Sequence, residues 1–293
     1  MKIGFIGLGR MGAPMSRNLA EAGHALFVFD VRGEAAEAAR AYGATPVANP
    51  AEAAERADAV VISVPGPEEN EQVMRGSDGV LSGARMGLLV IDMTTIMVQQ
   101  SRALGQTCGE RGIDYLDAPV SGGPQGAAAG SLTVMVGGTA AAYERAQPIL
   151  RTIGDNIRHI GDAGAGTAIK LINQSVYVAY MTAFGEGLAL GESIGIPLET
   201  LLDVLGSSAA GHPMISTKYP EIRSDGKSGP PGFAVDRGIL FLNLAREAFR
   251  DSPYRKPLID AAFASLRDAE KKGLARDDII VARKRYLGKG RAK

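Results

Sequence analysis

Residues 1–32 read MKIGFIGLGRMGAPMSRNLAEAGHALFVFDVR, and their order decides the fold. KIGFI at 2–6 is a strand-like run, and Gly7, Gly9 and Gly12 follow it at once. Glycines at that spacing let the chain turn tightly and let phosphates approach the backbone N–H groups. A helical segment comes next, with Met11, Met15 and Leu19 on one face and an end at Gly23. The second strand-like run, ALFVFD, closes on Asp30. Such a βαβ unit seats a pyrophosphate at the helix N-terminus and bonds the adenosine ribose through the carboxylate. Leu8, Arg10 and Met11 complete the turn, and Val31 and Arg32 follow the aspartate. A plain tight turn, with Asp30 capping the next helix, is the alternative. Asp30 favours NAD because a carboxylate repels a 2′-phosphate, while Arg32 either accepts that phosphate, admitting NADP, or lies in solvent.

Further strand-like runs stand at AVVISV, LLVIDM, YLDAPV, LTVMVG and IRHIG, with helical segments between them. Asn49-Pro50-Ala51-Glu52 is a capping box with proline at N1. The alternation predicts an α/β fold, a doubly wound parallel sheet with helices on both faces, over residues 1–162. After Gly161 the character changes. GAGTAIKLINQSVYVAYMTAFGEGLALGESIGI keeps helical spacing for nearly thirty residues and is apolar almost all round. It predicts a helix buried on all sides, with Gly185, Gly187 and Gly191 admitting close neighbours, that opens an all-α second domain over 163–293. PLETLLDVLG, LFLNLAREAF, KPLIDAAFASLRDAEKKG and DDIIVARKRYL read as further helices, RSDGKSGPPG as a loop, and RKRYLGKGRAK as a solvated end.

The 293 residues carry 32 Lys and Arg against 32 Asp and Glu, with no long run of one sign, so neither nucleic acid nor an anionic membrane surface is an expected partner. No apolar run approaches the roughly 20 residues of a membrane span, and no signal-like segment precedes KIGFI, which predicts a soluble, cytoplasmic protein. Cys108 is the single cysteine, so no internal disulfide forms. His24, His159 and His212 are isolated and no metal site is expected.

Two further stretches carry chemistry. In DAPVSGGPQGAAAGSLTVMVGG, residues 117–138, Ser121, Gly122 and Gly123 follow a strand end and offer a hydroxyl and open backbone amides to a carboxylate; a glycine-rich hairpin turn is the alternative. In GDAGAGTAIKLINQ, residues 161–174, Lys170, Asn173 and Gln174 share one helix face. A lysine buried there would lose proton affinity and suit general acid and base work, with Asn173 holding a substrate oxygen or orienting Lys170. Otherwise the lysine snorkels to solvent and the amides bridge helices.

GFIGLGRMGAPMSRNLAEAGH, IDMTTI, DAPVSGG and GAGTAIKLINQ, in that order and spacing, resemble the four signature blocks of the β-hydroxyacid dehydrogenase family over nearly the whole chain. The resemblance implies a Rossmann domain followed by a helical domain, a homodimer or homotetramer built on the long helix, an NAD or NADP cofactor and a small carboxylate substrate. It implies that Gly7, Leu8, Gly9, Arg10, Met11, Gly12, Asp30, Val31, Arg32, Val64, Pro65 and Thr95 bind the cofactor, with Thr95 near the nicotinamide ribose. Ser121, Gly122 and Gly123 would hold the substrate carboxylate. Lys170 matches the catalytic lysine, and Asn173 and Gln174 fall where many members carry two asparagines, which implies a catalytic role for Asn173 and substrate binding by Gln174.

One departure stands out. The Lys-Asp pair usual in the helix after a GF segment is replaced here by Leu240 and Phe241, with Arg237 one turn earlier. Losing that ammonium points to weaker carboxylate binding or a larger, more apolar substrate. An imine reductase-like enzyme, or a regulatory protein that binds NAD(P) without turnover, are the alternatives.

Overall fold

The structure, a computed structural model, describes residues 1–225 and 230–280, the side chains of Pro213 and Met214 excepted. The chain forms two compact units, Met1–Lys170 and Leu171–Lys293.

The first unit alternates strands and helices in chain order: β1 Lys2–Ile6, α1 Gly12–Glu21, β2 Ala25–Phe29, α2 Gly33–Ala38, β3 Thr45–Pro46, α3 Pro50–Arg56, β4 Ala59–Ile62, α4 Pro67–Arg75, α5 Val80–Gly83, β5 Leu89–Asp92, α6 Val98–Glu110 and β6 Asp114–Asp117. It continues with β7 Val120–Ser121, α7 Gly123–Ala129, β8 Leu132–Gly137, α8 Ala140–Ile153, β9 Gly154–Gly161 and the start of α9, Ala165–Ser193. Among the described residues one sheet of nine strands forms, in the order β3-β2-β1-β4-β5-β6-β8-β7, with β9 on β8. The first six follow the doubly wound Rossmann order, which reverses between β1 and β4 and opens a ligand crevice beyond their carboxyl ends.

Period-two burial explains why these runs are apolar throughout. Val61, Leu89 and Ile91 pack on one face with Met15 and Leu19. Val60, Ile62 and Val90 pack on the other with Met74 and Leu104. Strands covered on both faces need side chains of that kind at every position. The capping box forms, with the Glu52 N–H donating to Asn49 Oδ1 at 2.8 Å. Glu52 reaches back to the Ala48 N–H rather than to that of Asn49.

The wholly parallel sheet needs correction. β6 and β8 pair antiparallel, as do β7 and β8, the latter because the connection from Ser121 to Leu132 is shorter than the dozen or so residues that a parallel crossover takes. YLDAPV is likewise two strands rather than one, since Pro119 has no N–H to continue the ladder.

In the second unit α9 runs on to Ser193 and is followed by α10 Leu198–Ser207, α11 Pro213–Ser216, α12 Tyr219–Arg223, α13 Val235–Ala248 and α14 Pro257–Lys271. Val178, Met181, Leu188, Leu202, Leu242 and Leu266 form its core. A buried Lys218–Asp278 ion pair at 2.7 Å ties the end of the described chain to it, and Asp278 also accepts the Phe233 N–H at 2.9 Å. Residues 277–280 therefore make a turn and a β-bridge to Ala234 instead of starting a helix. The remainder of DDIIVARKRYL, the basic end 283–293 and residues 226–229 of the expected loop lie outside the described residues.

α9 is not buried all round: Ile169, Ile172, Val176 and Leu190 are exposed. Of its glycines, Gly191 meets the Leu201 side chain closely, whereas Gly187 has no such neighbour. Among the described residues no helix is long and apolar enough to cross a membrane.

Candidate active site

The glycine-rich turn is built by three different constraints. Gly7 has φ +93°, a left-handed conformation that favours glycine, and its N–H donates to the Phe29 carbonyl at 2.9 Å. A side-chain carbon on Gly12 would collide with the Gly7 carbonyl, so α1 can start this close to the turn only with glycine there. A Cβ on Gly9 would meet nothing within 4 Å. The space over Gly9 is thus a cradle that a side chain would fill, beside the N-terminus of α1, and the groups present suit a pyrophosphate.

Asp30 lies just past β2 and does not cap α2. Its Oδ2 accepts the Leu8 N–H at 2.7 Å, and its Oδ1 accepts the Arg32 N–H at 2.9 Å and the Arg32 Nε–H at 3.0 Å. Burial works to raise the carboxyl pKa, but the bonds from Arg32 and Leu8 outweigh it and hold the group below the usual range. Arg32 also donates to the Leu8 carbonyl at 3.3 Å, so guanidinium, carboxylate and glycine-rich turn form one cluster, with Val31 exposed beside it.

At the ends of β4 and β5 a buried carboxylate that the sequence did not single out organises two loops. Asp92 accepts hydrogen bonds from the Thr94 N–H at 3.0 Å, Asn70 Nδ2 at 2.7 Å and the Tyr115 hydroxyl at 3.1 Å. Thr94 Oγ1 in turn accepts the Val64 N–H at 3.4 Å. The SVPG turn with Val64 and Pro65 and the turn with Thr95 are thereby joined through the Thr94 hydroxyl, and Asp92 holds the Thr94 backbone in place. Full burial pushes the Asp92 carboxyl up to about 6, against the lowering effect of its donors.

Ser121 is half-buried at the end of β7, and Gly122 and Gly123 are exposed with φ of +135° and +66°. Beyond them the chain enters α7 rather than a bare hairpin turn.

Lys170, Asn173 and Gln174 all stand on α9. Lys170 is only 6% exposed and makes no ion pair among the described residues, which excludes snorkelling. Desolvation lowers its pKa to about 8. Gln174 is buried, Asn173 half-buried, and the Asn173 amide donates to Gln174 Oε1 at 3.3 Å.

Asp117 at the end of β6 is a second buried carboxylate that the sequence does not single out. Its oxygens accept the Gly164 N–H at 2.8 Å and the Thr167 N–H at 2.6 Å, at the very start of α9. Burial raises the Asp117 pKa despite these bonds. On α13, Phe241 is buried and Leu240 half-buried, while the Arg237 guanidinium sits 5.3 Å from the Phe241 ring centre. Among the described residues no three His, Cys, Asp or Glu side chains are grouped to hold a metal ion.

Comparison with known proteins covers both halves. A family model described as the NAD binding domain of 6-phosphogluconate dehydrogenase matches residues 2–161. One described as the NAD-binding of NADP-dependent 3-hydroxyisobutyrate dehydrogenase matches residues 164–284. A 2-(hydroxymethyl)glutarate dehydrogenase from Eubacterium barkeri is 37% identical over 279 residues, 95% of this chain and 92% of that protein. An NAD-dependent L-serine dehydrogenase from Pseudomonas aeruginosa is 36% identical over 290 residues, 97% of each. The solved structure of Mycobacterium tuberculosis 3-hydroxyisobutyrate dehydrogenase with L-serine superposes with a TM-score of 0.86 at 34% identity, covering 98% of this chain and 99% of that one.

Proposed function

The chain belongs to the β-hydroxyacid dehydrogenase family, an NAD(P)-dependent oxidoreductase, and we propose that it moves hydride between a short β-hydroxy acid and its semialdehyde with Lys170 as general acid and base. The observation that carries this is Lys170 itself: an amine sequestered from solvent, without a carboxylate partner among the described residues, and tuned to about 8. A group of that pKa holds or releases a proton with little cost near neutral pH.

In this reading Gly7, Leu8, Gly9, Arg10, Met11 and Gly12 hold the pyrophosphate of the dinucleotide. Asp30, Val31 and Arg32 hold the adenosine ribose, and Val64, Pro65 and Thr95 flank the nicotinamide. A nicotinamide held there would supply the hydride acceptor for oxidation and the hydride donor for reduction. In oxidation Lys170 Nζ takes the hydroxyl proton, and in reduction it gives that proton to the developing alkoxide. Asn173 holds the same oxygen, and Gln174, bonded to Asn173, steadies it. Ser121, Gly122 and Gly123 bind the carboxylate, fixing the carbon that reacts.

The substrates named for the three relatives above, 2-(hydroxymethyl)glutarate, L-serine and 3-hydroxyisobutyrate, share a hydroxyl on the carbon β to a carboxylate, which sets the class to test first. Replacing Lys170 by alanine should lower turnover by about 10²–10⁴-fold with the dinucleotide still bound. The apolar Leu240 and Phe241 favour, within the class, substrates with a larger apolar substituent. They also give an imine substrate its one specific support. The exposed row Ile169, Ile172, Val176 and Leu190 on α9 supports a homodimer or homotetramer.

A further inference from the structure

This inference rests on the reading of Lys170 as the proton-transfer group. Helix α9 brings no cap of its own. Gly164 occupies the N-cap position, its carbonyl accepting the Ala168 N–H at 2.9 Å, and neither Gly164 nor its neighbours Ala163 and Ala165 carries a side-chain acceptor. The N–H groups of a buried helix start need acceptors from somewhere. Asp117 delivers them from another strand: its Oδ1 takes the Gly164 N–H and its Oδ2 the Thr167 N–H, with the residue 1% exposed. One carboxylate thus holds the N-cap and N3 positions together, which fixes both the depth and the rotation of the helix start.

The surroundings leave that start little freedom. A side-chain carbon on Gly166 would collide with the carbonyl oxygens of Met135 and Asp117. Lys170 follows Thr167 by one turn on the same face. In the other direction the chain passes from Asp117 through Ala118, Pro119 and Val120 to Ser121. The Pro119 carbonyl accepts the Met135 N–H at 3.1 Å, and Ser121 pairs with Thr133.

We propose that Asp117 is a positioning residue for the reaction: it locks the start of α9 to the strand end that leads to Ser121, so that the general acid and base and the carboxylate-binding loop share one anchor. A small displacement of a reacting group is enough to lower turnover by about a hundredfold. An isosteric asparagine keeps one acceptor but sets an amide NH₂ against the second N–H, which loosens the helix start.

The test is a double-mutant cycle in the full-length protein with Asp117→Asn, Lys170→Ala and both together. Turnover is followed on 3-hydroxyisobutyrate and L-serine with NAD, and NADH affinity by fluorescence titration. The expected result is wild-type NADH affinity and a kcat about 10- to 100-fold lower in Asp117→Asn, with no further loss when it is added to Lys170→Ala. Two results overturn the proposal: an unchanged kcat, or the same fold-loss with and without Lys170. If Asp117→Asn no longer binds NADH, Asp117→Glu replaces it. Its longer arm keeps the charge and should lower kcat with affinity intact; wild-type turnover there overturns the proposal equally. Full turnover in Lys170→Ala would remove the reading beneath it, whereas loss there with none in the Asp117 variants removes only Asp117.

Discussion

Asp92 and Asp117 are register partners on the neighbouring parallel strands β5 and β6, and each buried carboxylate organises a different loop system. Asp92 gathers the Thr94 turn, Asn70 of α4 and Tyr115, while Asp117 holds the start of α9. Sheets of this type place ligands beyond the strand ends, where these carboxylates stand.

Asparagine at position 92 would set an NH₂ against groups that are themselves donors. Leaving a buried donor unmatched costs about 1–3 kcal/mol. Asp92→Asn should therefore lower the thermal unfolding midpoint and raise KM for the dinucleotide, since the Val64 and Thr95 turns lose their common support. Unchanged unfolding and unchanged KM would show that the network does not shape the cofactor side.

With Lys170 as the proposed proton-transfer group, its lowered pKa sets a pH dependence with opposite signs in the two directions. Oxidation needs the neutral amine, so its kcat/KM should rise with pH to a plateau above about 8. Reduction needs the ammonium, so its kcat/KM should fall as pH passes about 8. Profiles between pH 6 and 10 check this, and both inflections should vanish in Lys170→Ala. Flat wild-type profiles across that range would contradict the assignment.

The proposed reading puts cofactor choice on the Asp30–Arg32 cluster. Asp30→Ala removes the acceptor for the Leu8 N–H and the carboxylate proposed to bond the ribose hydroxyls, and should raise KM for NAD by about tenfold or more. Arg32→Ala removes a cation that a 2′-phosphate would use, and should raise KM for NADP by about tenfold while changing that for NAD far less. Equal effects of Arg32→Ala on the two cofactors would exclude a phosphate-binding role.

The reach of the sequence follows the range of the interactions. The Gly7–Asp30 unit can be read directly because its constraints are short-range: Gly12 conflicts with the Gly7 carbonyl five residues away, Gly7 turns with a positive φ against the neighbouring strand end, and Gly9 leaves open space. The long helix is equally plain from its spacing. What escapes is set by distant partners. Asp117 caps α9 from 47 and 50 residues away, and Asp92 joins Asn70 and Tyr115 across 22 and 23. The IDMTTI and DAPVSGG blocks contain both aspartates, yet only burial at a strand end marks them out. β3, a two-residue strand ending on Pro46, carries no periodicity to detect. The exposed apolar row on α9 is invisible for the opposite reason: composition alone cannot tell a buried face from one awaiting a partner.

That row leads to a test of assembly. Light scattering coupled to gel filtration should give a mass that is two or four times that of the chain. Ile172→Asp with Val176→Asp, placing charge in the row, should shift the protein to a smaller species. A wild-type monomer would show that the row has another role.

The central claim is tested most directly by NAD(P)H formation on 3-hydroxyisobutyrate, L-serine, glycerate, 3-hydroxypropionate and longer β-hydroxy acids, with wild type and Lys170→Ala side by side. The account predicts steady turnover on at least one of these acids, reduced by about 10²–10⁴-fold in the variant at unchanged dinucleotide affinity. Turnover that survives the loss of Lys170, or silence across the whole panel from a wild-type protein that binds NAD or NADP, would contradict it.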